Sequence, residues 1–287
     1  MILKSRKALV IGAEGTIGRS LYDCLASDYE IVYGTTKRKK NRNNFFKIDL
    51  INSFDGLNKI ASKCDVAFVC AGTTKAFDCE KNKAESYAIN VTNTFKLVKI
   101  LKNLEVFVVW LSSNAVFSGK RPFSGSDEPY KPLTEYGRQK VKAEQKIIKL
   151  GGVAIVRLTK VLSKNTPLIS DWIEKLKAGK EIYPFSDAYF SPISLKYATN
   201  AIAKVGSNMR TGIFNISGND DISYYDFARI LAIKLHGVDD LVRPVSKVIT
   251  NSKIFASGRY STLDMEKIMT ITDIKPQPFE NVLEDLL

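Results

Sequence analysis

Histidine is almost missing from this chain: among 287 residues there is one, His236. A histidine-rich metal centre is thereby excluded, and a nucleophile–His–acid triad survives only if His236 itself serves. Its place near the end of "YYDFARILAIKLHG", just before Gly237, is that of a residue closing a helix. Cysteine is also scarce. Cys24, Cys64, Cys70 and Cys79 form no CxxC pair and fall short of a disulfide scaffold, so a reduced, cytoplasmic compartment is the simplest expectation. No apolar run approaches the ~18 residues that cross a bilayer, so no membrane partner is expected. Basic residues precede the first apolar stretch, but Gly12, Glu14 and Gly15 interrupt it too soon for a signal peptide. Low-complexity tracts and internal repeats do not occur.

Acid is the remaining shortage. Lys and Arg number 43 against 30 Asp and Glu, a formal charge of +13. The bases are scattered and mostly Lys, and the densest cluster, "TKRKKNR", is short. A small anionic ligand explains that cluster at least as well as nucleic acid, which is not an expected partner.

Hydrophobic residues make up 45% of the chain, ordinary for a globular protein. Their spacing alternates between strand and helix. "KALVIG" (7–12), "EIVYGT" (30–35), "FFKIDL" (45–50), "DVAFVCAG" (65–72), "EVFVVWLSS" (105–113) and "VAIVRL" (153–158) read as strands. Segments 16–27, 80–103 and 134–150 read as helices between them. Such alternation predicts an α/β fold, a Rossmann-type doubly wound parallel sheet. Past residue 160 the rhythm changes to helices around 167–179, 195–205 and 223–235, with "YFSPIS" extended. The expected organisation is a cofactor domain over 1–160 and a smaller, interleaved substrate-binding region over 161–287. A late strand near 212–217 rejoins the first.

Directly after the first strand, "GAEGTIG" places Gly12, Gly15 and Gly18 at the opening of a helix. Gly12 permits a tight turn, Gly15 a close approach of backbone to pyrophosphate, and Gly18 close packing of helix on sheet. Open N–H groups at the helix start favour an anion, which makes this a dinucleotide loop. At the end of the second strand an acid favours NAD, whereas bases favour a 2′-phosphate. The chain has Thr36, Lys37 and Arg38 there and no acid. NADP(H) is therefore the expected cofactor and NAD(H) the alternative.

A Tyr four residues before a Lys occurs twice, in "YGTTK" (Tyr33 to Lys37) and "YGRQK" (Tyr136 to Lys140). The first lies on a strand end, where the two side chains share no face. The second lies on a helix with Thr134 as its expected N-cap, so Tyr136 and Lys140 project together. An ammonium beside a phenol lowers its pKa, which suits Tyr136 to proton exchange with an alcohol or carbonyl. Ser113, at the end of the fifth strand, is placed to orient that carbonyl.

Taken together these motifs resemble the extended short-chain dehydrogenase/reductase family. Within it, "LSSNAVFSGK…DEPYKPLTEYGRQKVKAE", "RLTKVL", "SPIS" and "GIFNISG" are similar to the dTDP-4-dehydrorhamnose reductase branch. The resemblance implies Ser113, Tyr136 and Lys140 as catalytic residues, with Lys140 also on the nicotinamide ribose. It implies cofactor contacts from Gly12, Gly15, Thr16, Ile17, Gly18, Asp49, Leu50, Ala71 and Gly72, and a mainly structural Asn90. Thr73, Asn114 and Lys160 are the candidate substrate contacts. Asn114-Ala115 stands where related 4,6-dehydratases carry an Asp-Glu pair, which removes the acid and base that water elimination needs. The implied activity is an NADP(H)-preferring reductase of a keto group on a nucleotide-linked deoxysugar, in polysaccharide biosynthesis, with a homodimer as the family-level expectation. Two rivals stand beside it: an NAD-dependent nucleotide-sugar epimerase, and a non-catalytic NADP(H)-binding regulatory subunit.

Overall fold

The computed structural model describes residues 5–37, 44–51, 54–246 and 258–287. Its centre is a sheet of seven parallel strands. They are β1 (Lys7–Ile11), β2 (Ile31–Thr36), β3 (Phe45–Lys47), β4 (Val66–Val69), β5 (Phe107–Ser113), β6 (Val153–Leu158) and, far later in the chain, β10 (Gly212–Ile216). Their spatial order is β10-β6-β5-β4-β1-β2-β3. The order reverses between β1 and β4, and at such a switch point ligands bind beyond the carboxyl ends of the strands. Two short strand pairs lie outside the sheet: β7 (Lys160–Leu162) with β9 (Pro192–Ser194), and β8 (Tyr189–Phe190) with β11 (Ile222–Ser223), while Ile182 and Phe185 bridge to Val242 and Val245.

Buried on both faces, β4, β5 and β6 read as continuous apolar runs because helices cover each side. Around the cofactor half run α1 (Thr16–Leu25), α2 (Leu57–Ala61), α3 (Ala76–Lys81), α4 (Lys83–Tyr87), α5 (Thr94–Asn103) and α6 (Glu135–Ile147). Later come α7 (Pro167–Lys177), α8 (Leu195–Asn208), α9 (Tyr224–His236), α10 (Glu266–Met269) and α11 (Phe279–Leu286). On one sheet face Leu21 and Leu25 of α1 and Ile202 and Val205 of α8 pack over Val10, Phe68 and Val109. Gly206 makes that contact possible, since a Cβ there would sit 2.3 Å from the Phe68 ring. Leu97 and Leu101 of α5 and Ile147 of α6 cover Leu9, Val108 and Trp110 on the other face. Burying one such Leu or Phe contributes about 1.5–3 kcal/mol. Trp172, Phe190, Phe227 and Leu283 centre a separate core in the C-terminal part.

The late strand β10 pairs with β6 at the edge of the main sheet. Gly237 closes α9 with φ 78°, the left-handed turn that a glycine adopts without strain. The segment 80–103, expected as one helix, is divided. Asn82 leaves helical geometry at φ −122°, and Ala88–Asn93 forms a π-helical turn before α5 begins. The extra residue of a π turn re-aims side chains, here Asn90. The strand expected over 45–50 ends at Lys47, because Asp49 turns back to accept the Ile51 N–H at 2.9 Å. Among the described residues, no helix is long and apolar enough to cross a membrane.

Candidate active site

The glycine loop forms the floor of a cavity at the switch point. Gly12 has φ 85°, and a Cβ on it would stand 2.9 Å from the backbone of Ala71 at the end of β4. Only glycine fits both demands. A Cβ on Gly18 would meet the Gly12 carbonyl oxygen at 2.2 Å, so α1 rests directly on the loop. Gly15 begins α1 with no side-chain cap. Its helix start therefore presents backbone N–H groups to an anion.

The cavity measures about 730 Å³. Gly12, Gly15, Thr36, Lys37, Leu50, Ala71 and Gly72 line it, with Glu14, Arg19 and Asp23 on the side of β2. A glycine floor, an apolar wall at Ile48 and Leu50, and an uncapped helix start fit a dinucleotide. Four expected contacts stand off this wall: Thr16 is exposed at the first turn of α1, Ile17 packs into the core, Gly18 is buried beneath the loop, and the Asp49 carboxylate holds the Ile51 N–H. Arg38 lies outside the described residues.

Ser113, Tyr136 and Lys140 converge one strand away. Thr134 caps α6 as expected, its hydroxyl accepting the Gly137 N–H at 3.1 Å. Gly137 is what brings α6 close. A Cβ there would be 2.2 Å from the Ala115 carbonyl oxygen, in the single 3-10 turn that follows Ser113. Tyr136 thereby reaches the Ser113 hydroxyl. Burial pushes the Tyr136 phenol up to about 12, and hydrogen bonding with Ser113 pulls it partly back. Lys140 runs inward beneath it, donating to the Leu111 carbonyl at 2.7 Å with its ammonium 4.5 Å over the Trp110 ring. Burial pulls the Lys140 ammonium down to about 8, against the opposing charge of Glu144. The expected depression of Tyr136 by Lys140 is not found: the ammonium is tied to Leu111, 5.8 Å from the Tyr136 ring centre, and burial outweighs it.

Asn90 couples this helix to the loop after β4. It donates to the Thr73 carbonyl at 2.9 Å and to Gln139 Oε1 at 2.8 Å, and accepts the Thr73 N–H at 2.8 Å. Gln139 in turn donates to Ser86 at 2.9 Å. Thr73 is thus held beside α6. Asn114 accepts from Ser113 at 3.2 Å. Lys160 stands exposed at the first position of β7, and among the described residues no hydrogen bond joins it to the Ser113 group. All four cysteines are free, and the described residues hold no group of His, Cys, Asp and Glu fit for a metal.

Two features around the site escaped the sequence. Glu14, between two glycines, accepts from the Thr36 hydroxyl at 2.5 Å. The loop thus brings an acid against the end of β2. Behind Lys140, Glu144 and Arg157 pair at 2.7 Å with neither side chain reaching solvent. An Arg inside the apolar run "VAIVRL" was the available signal, since a buried charge requires a partner.

Comparisons with known proteins place the chain in a family. The chain is 22% identical over 308 residues to methionine adenosyltransferase 2 subunit beta of Mus musculus, covering 99% of this chain and 88% of that one. To dTDP-4-dehydrorhamnose reductase of Aggregatibacter actinomycetemcomitans it is 22% identical over 304 residues, 98% of each. Among solved structures, dTDP-4-dehydrorhamnose reductase from Bacillus anthracis in complex with NADP superimposes with a TM-score of 0.85 at 22% identity, covering 98% of this chain and 96% of that one. That likeness establishes the fold. The model of the RmlD substrate binding domain matches residues 6–287, so the chain belongs to that family.

Proposed function

We propose that this chain is an NAD(P)(H)-dependent reductase that converts a keto group of a nucleotide-linked deoxysugar to an alcohol. One observation carries the reading: Ser113, Tyr136 and Lys140 meet at the carboxyl end of β5, beside the cavity built on the glycine loop. A bound nicotinamide supplies the hydride to the carbonyl carbon. Tyr136 gives its phenolic proton to the carbonyl oxygen as that oxygen becomes an alkoxide, and takes a proton back from solvent afterwards. Standing at about 12, it is fully protonated at neutral pH, the form that reduction requires. Ser113 donates a hydrogen bond to the same oxygen and fixes its direction. Lys140 supplies positive charge behind the phenol as negative charge develops there. Thr73 and Asn114 border the sugar, and residues 161–287 hold the nucleotide end. NADP(H) is accommodated through Thr36 and Lys37. The finished enzyme works in the cytoplasm, as a homodimer, in polysaccharide biosynthesis.

A second reading is favoured by the relatives named as a subunit of methionine adenosyltransferase 2. In it the chain binds dinucleotide and a partner enzyme without reducing any sugar. The Ser113–Tyr136–Lys140 group separates the two, since a binding subunit has no use for a proton donor. A panel of nucleotide-linked keto-sugars with NADPH and NADH, followed by loss of nicotinamide absorbance, tests the reading. Turnover of one member supports the reductase. Dinucleotide binding with no turnover of any member supports the subunit.

A further inference from the structure

Cofactor choice in a dinucleotide fold rests on the group facing the 2′ position of the adenosine ribose: an acid accepts a hydroxyl, and a base attracts a phosphate. The end of β2 carries Thr35, Thr36 and Lys37 and so presents no acid of its own. The glycine loop brings one to it. Thr35 pins the loop to β2 twice, its hydroxyl accepting the Gly12 N–H at 3.0 Å and its carbonyl the Ala13 N–H at 3.2 Å. The next residue is Glu14, and the Thr36 hydroxyl donates to its carboxylate at 2.5 Å. Thr36 is buried, whereas Glu14 is exposed on the cavity wall. Backbone bonds on one side and a buried hydroxyl on the other therefore hold a negative charge at the β2 end.

The described charges around that place balance. Arg19 and Lys37 line the same wall as Glu14 and Asp23. A 2′-phosphate gains from the two bases and is opposed by the two acids, and Glu14 is the acid held against β2.

We propose that Glu14 reads the 2′ position of the cofactor, accepting the ribose hydroxyl of NAD(H) and opposing the phosphate of NADP(H). This rests on the dinucleotide reading of the glycine loop. The consequence is that the chain takes NAD(H) as well as NADP(H), with less discrimination than Thr36 and Lys37 alone would impose. Its place in the loop, not at the strand end, makes Glu14 a determinant that the β2 sequence conceals.

Titration of the purified full chain and of Glu14→Gln with NADPH and NADH, followed by nicotinamide fluorescence, is the test. In Glu14→Gln the NADPH affinity should rise, the NADH affinity should fall, and the ratio of the two should move towards NADPH by about tenfold or more, as removal of a like-charge contact predicts. Thr36→Val, which removes the hydroxyl anchoring the carboxylate, should shift the ratio in the same direction by less. An unchanged ratio in Glu14→Gln, with both dinucleotides bound, overturns the proposal. So does weaker NADPH binding in that variant, which would mean that Glu14 serves the phosphate by ordering a base. If the unaltered chain binds neither dinucleotide, the reading of the loop itself falls, and the role of Glu14 falls with it.

Discussion

Arg157 of β6 and Glu144 of α6 form an ion pair at 2.7 Å that is sealed from solvent on both sides. The pair is fully furnished with further bonds. Glu144 also accepts from Tyr130 at 2.9 Å and from Ser112, and Arg157 donates to the Ser126 carbonyl at 2.9 Å. The Phe117 ring lies 4.9 Å from the guanidinium. One charge pair thus joins β5, β6, α6 and the loop that precedes α6.

Arg157→Met strands the Glu144 charge in the interior. Breaking one side of a buried pair costs about 3–5 kcal/mol. Denaturant unfolding should show a loss of that order. The double variant Arg157→Met, Glu144→Met removes both charges and should recover a substantial part of it. Equal losses in single and double variants would show that the pair acts through packing alone.

Gly137 sets the distance between Tyr136 and Ser113, because any Cβ there collides with the Ala115 carbonyl. Gly137→Ala should force the start of α6 away from β5, at a cost of about 1–3 kcal/mol. Keto-sugar turnover should fall much further than that modest stability loss suggests, with dinucleotide affinity retained. Steady-state kinetics beside a dinucleotide titration reads both effects.

Tyr136→Phe removes the donor and leaves the ring in place. Reduction should slow by about 10²–10⁴-fold, the usual worth of a positioned acid, while NADPH binds as before. Turnover within a few-fold of the unaltered chain would take the proton-donor role away from Tyr136.

Lys140 makes a pH prediction whose sign follows from burial. Its folded pKa lies near 8, below the ordinary lysine value of 10.5. Between these values the unfolded chain holds a proton that the folded chain has lost, so this group makes stability rise with pH across the window. Below pH 8 both states are protonated, and the cost of the buried charge is constant. The stability of the unaltered chain relative to Lys140→Met should therefore rise from pH 8 to about 10.5, by a few kcal/mol. Thermal midpoints of the two proteins over that range give the slope. A flat or falling difference contradicts it.

Those elements whose apolar period is continuous were legible in the sequence. β5 and β6 were read nearly to the residue, and β10 was placed near 212–217, because a buried parallel strand writes itself as an unbroken apolar run. The shared face of Tyr136 and Lys140 followed from reading the stretch after Thr134 as a helix. What stayed hidden depends on residues far apart in the chain. Asn90 reaches Gln139 across 49 positions by means of a π turn that no local period announces. Glu14 meets Thr36 only because the loop folds back over β2. The short α10 and α11, with the bridge from Ser124 to Leu263, are likewise products of tertiary contact. Even the repeated five-residue pattern was uninformative by itself. Tyr33 lies on β2 with its ring 5.8 Å from that of Phe46, whereas in "YGRQK" each residue between Tyr and Lys has a structural task. Gly137 admits the neighbouring turn, Arg138 pairs with Glu80 and Glu135, and Gln139 holds Asn90.

The position of β10 bears on how this protein can be divided. The chain leaves the sheet after Leu158 of β6 and returns at Gly212 to lay its last strand against the one it left. On the way, α8 is deposited over Phe68 and against α1. A fragment cut after residue 160 would therefore lose both a covering helix and an edge strand. It would expose the whole length of β6 as an unprotected edge, the kind of surface that recruits other chains. Such a fragment should aggregate, where a sequence boundary alone would promise an independent cofactor module.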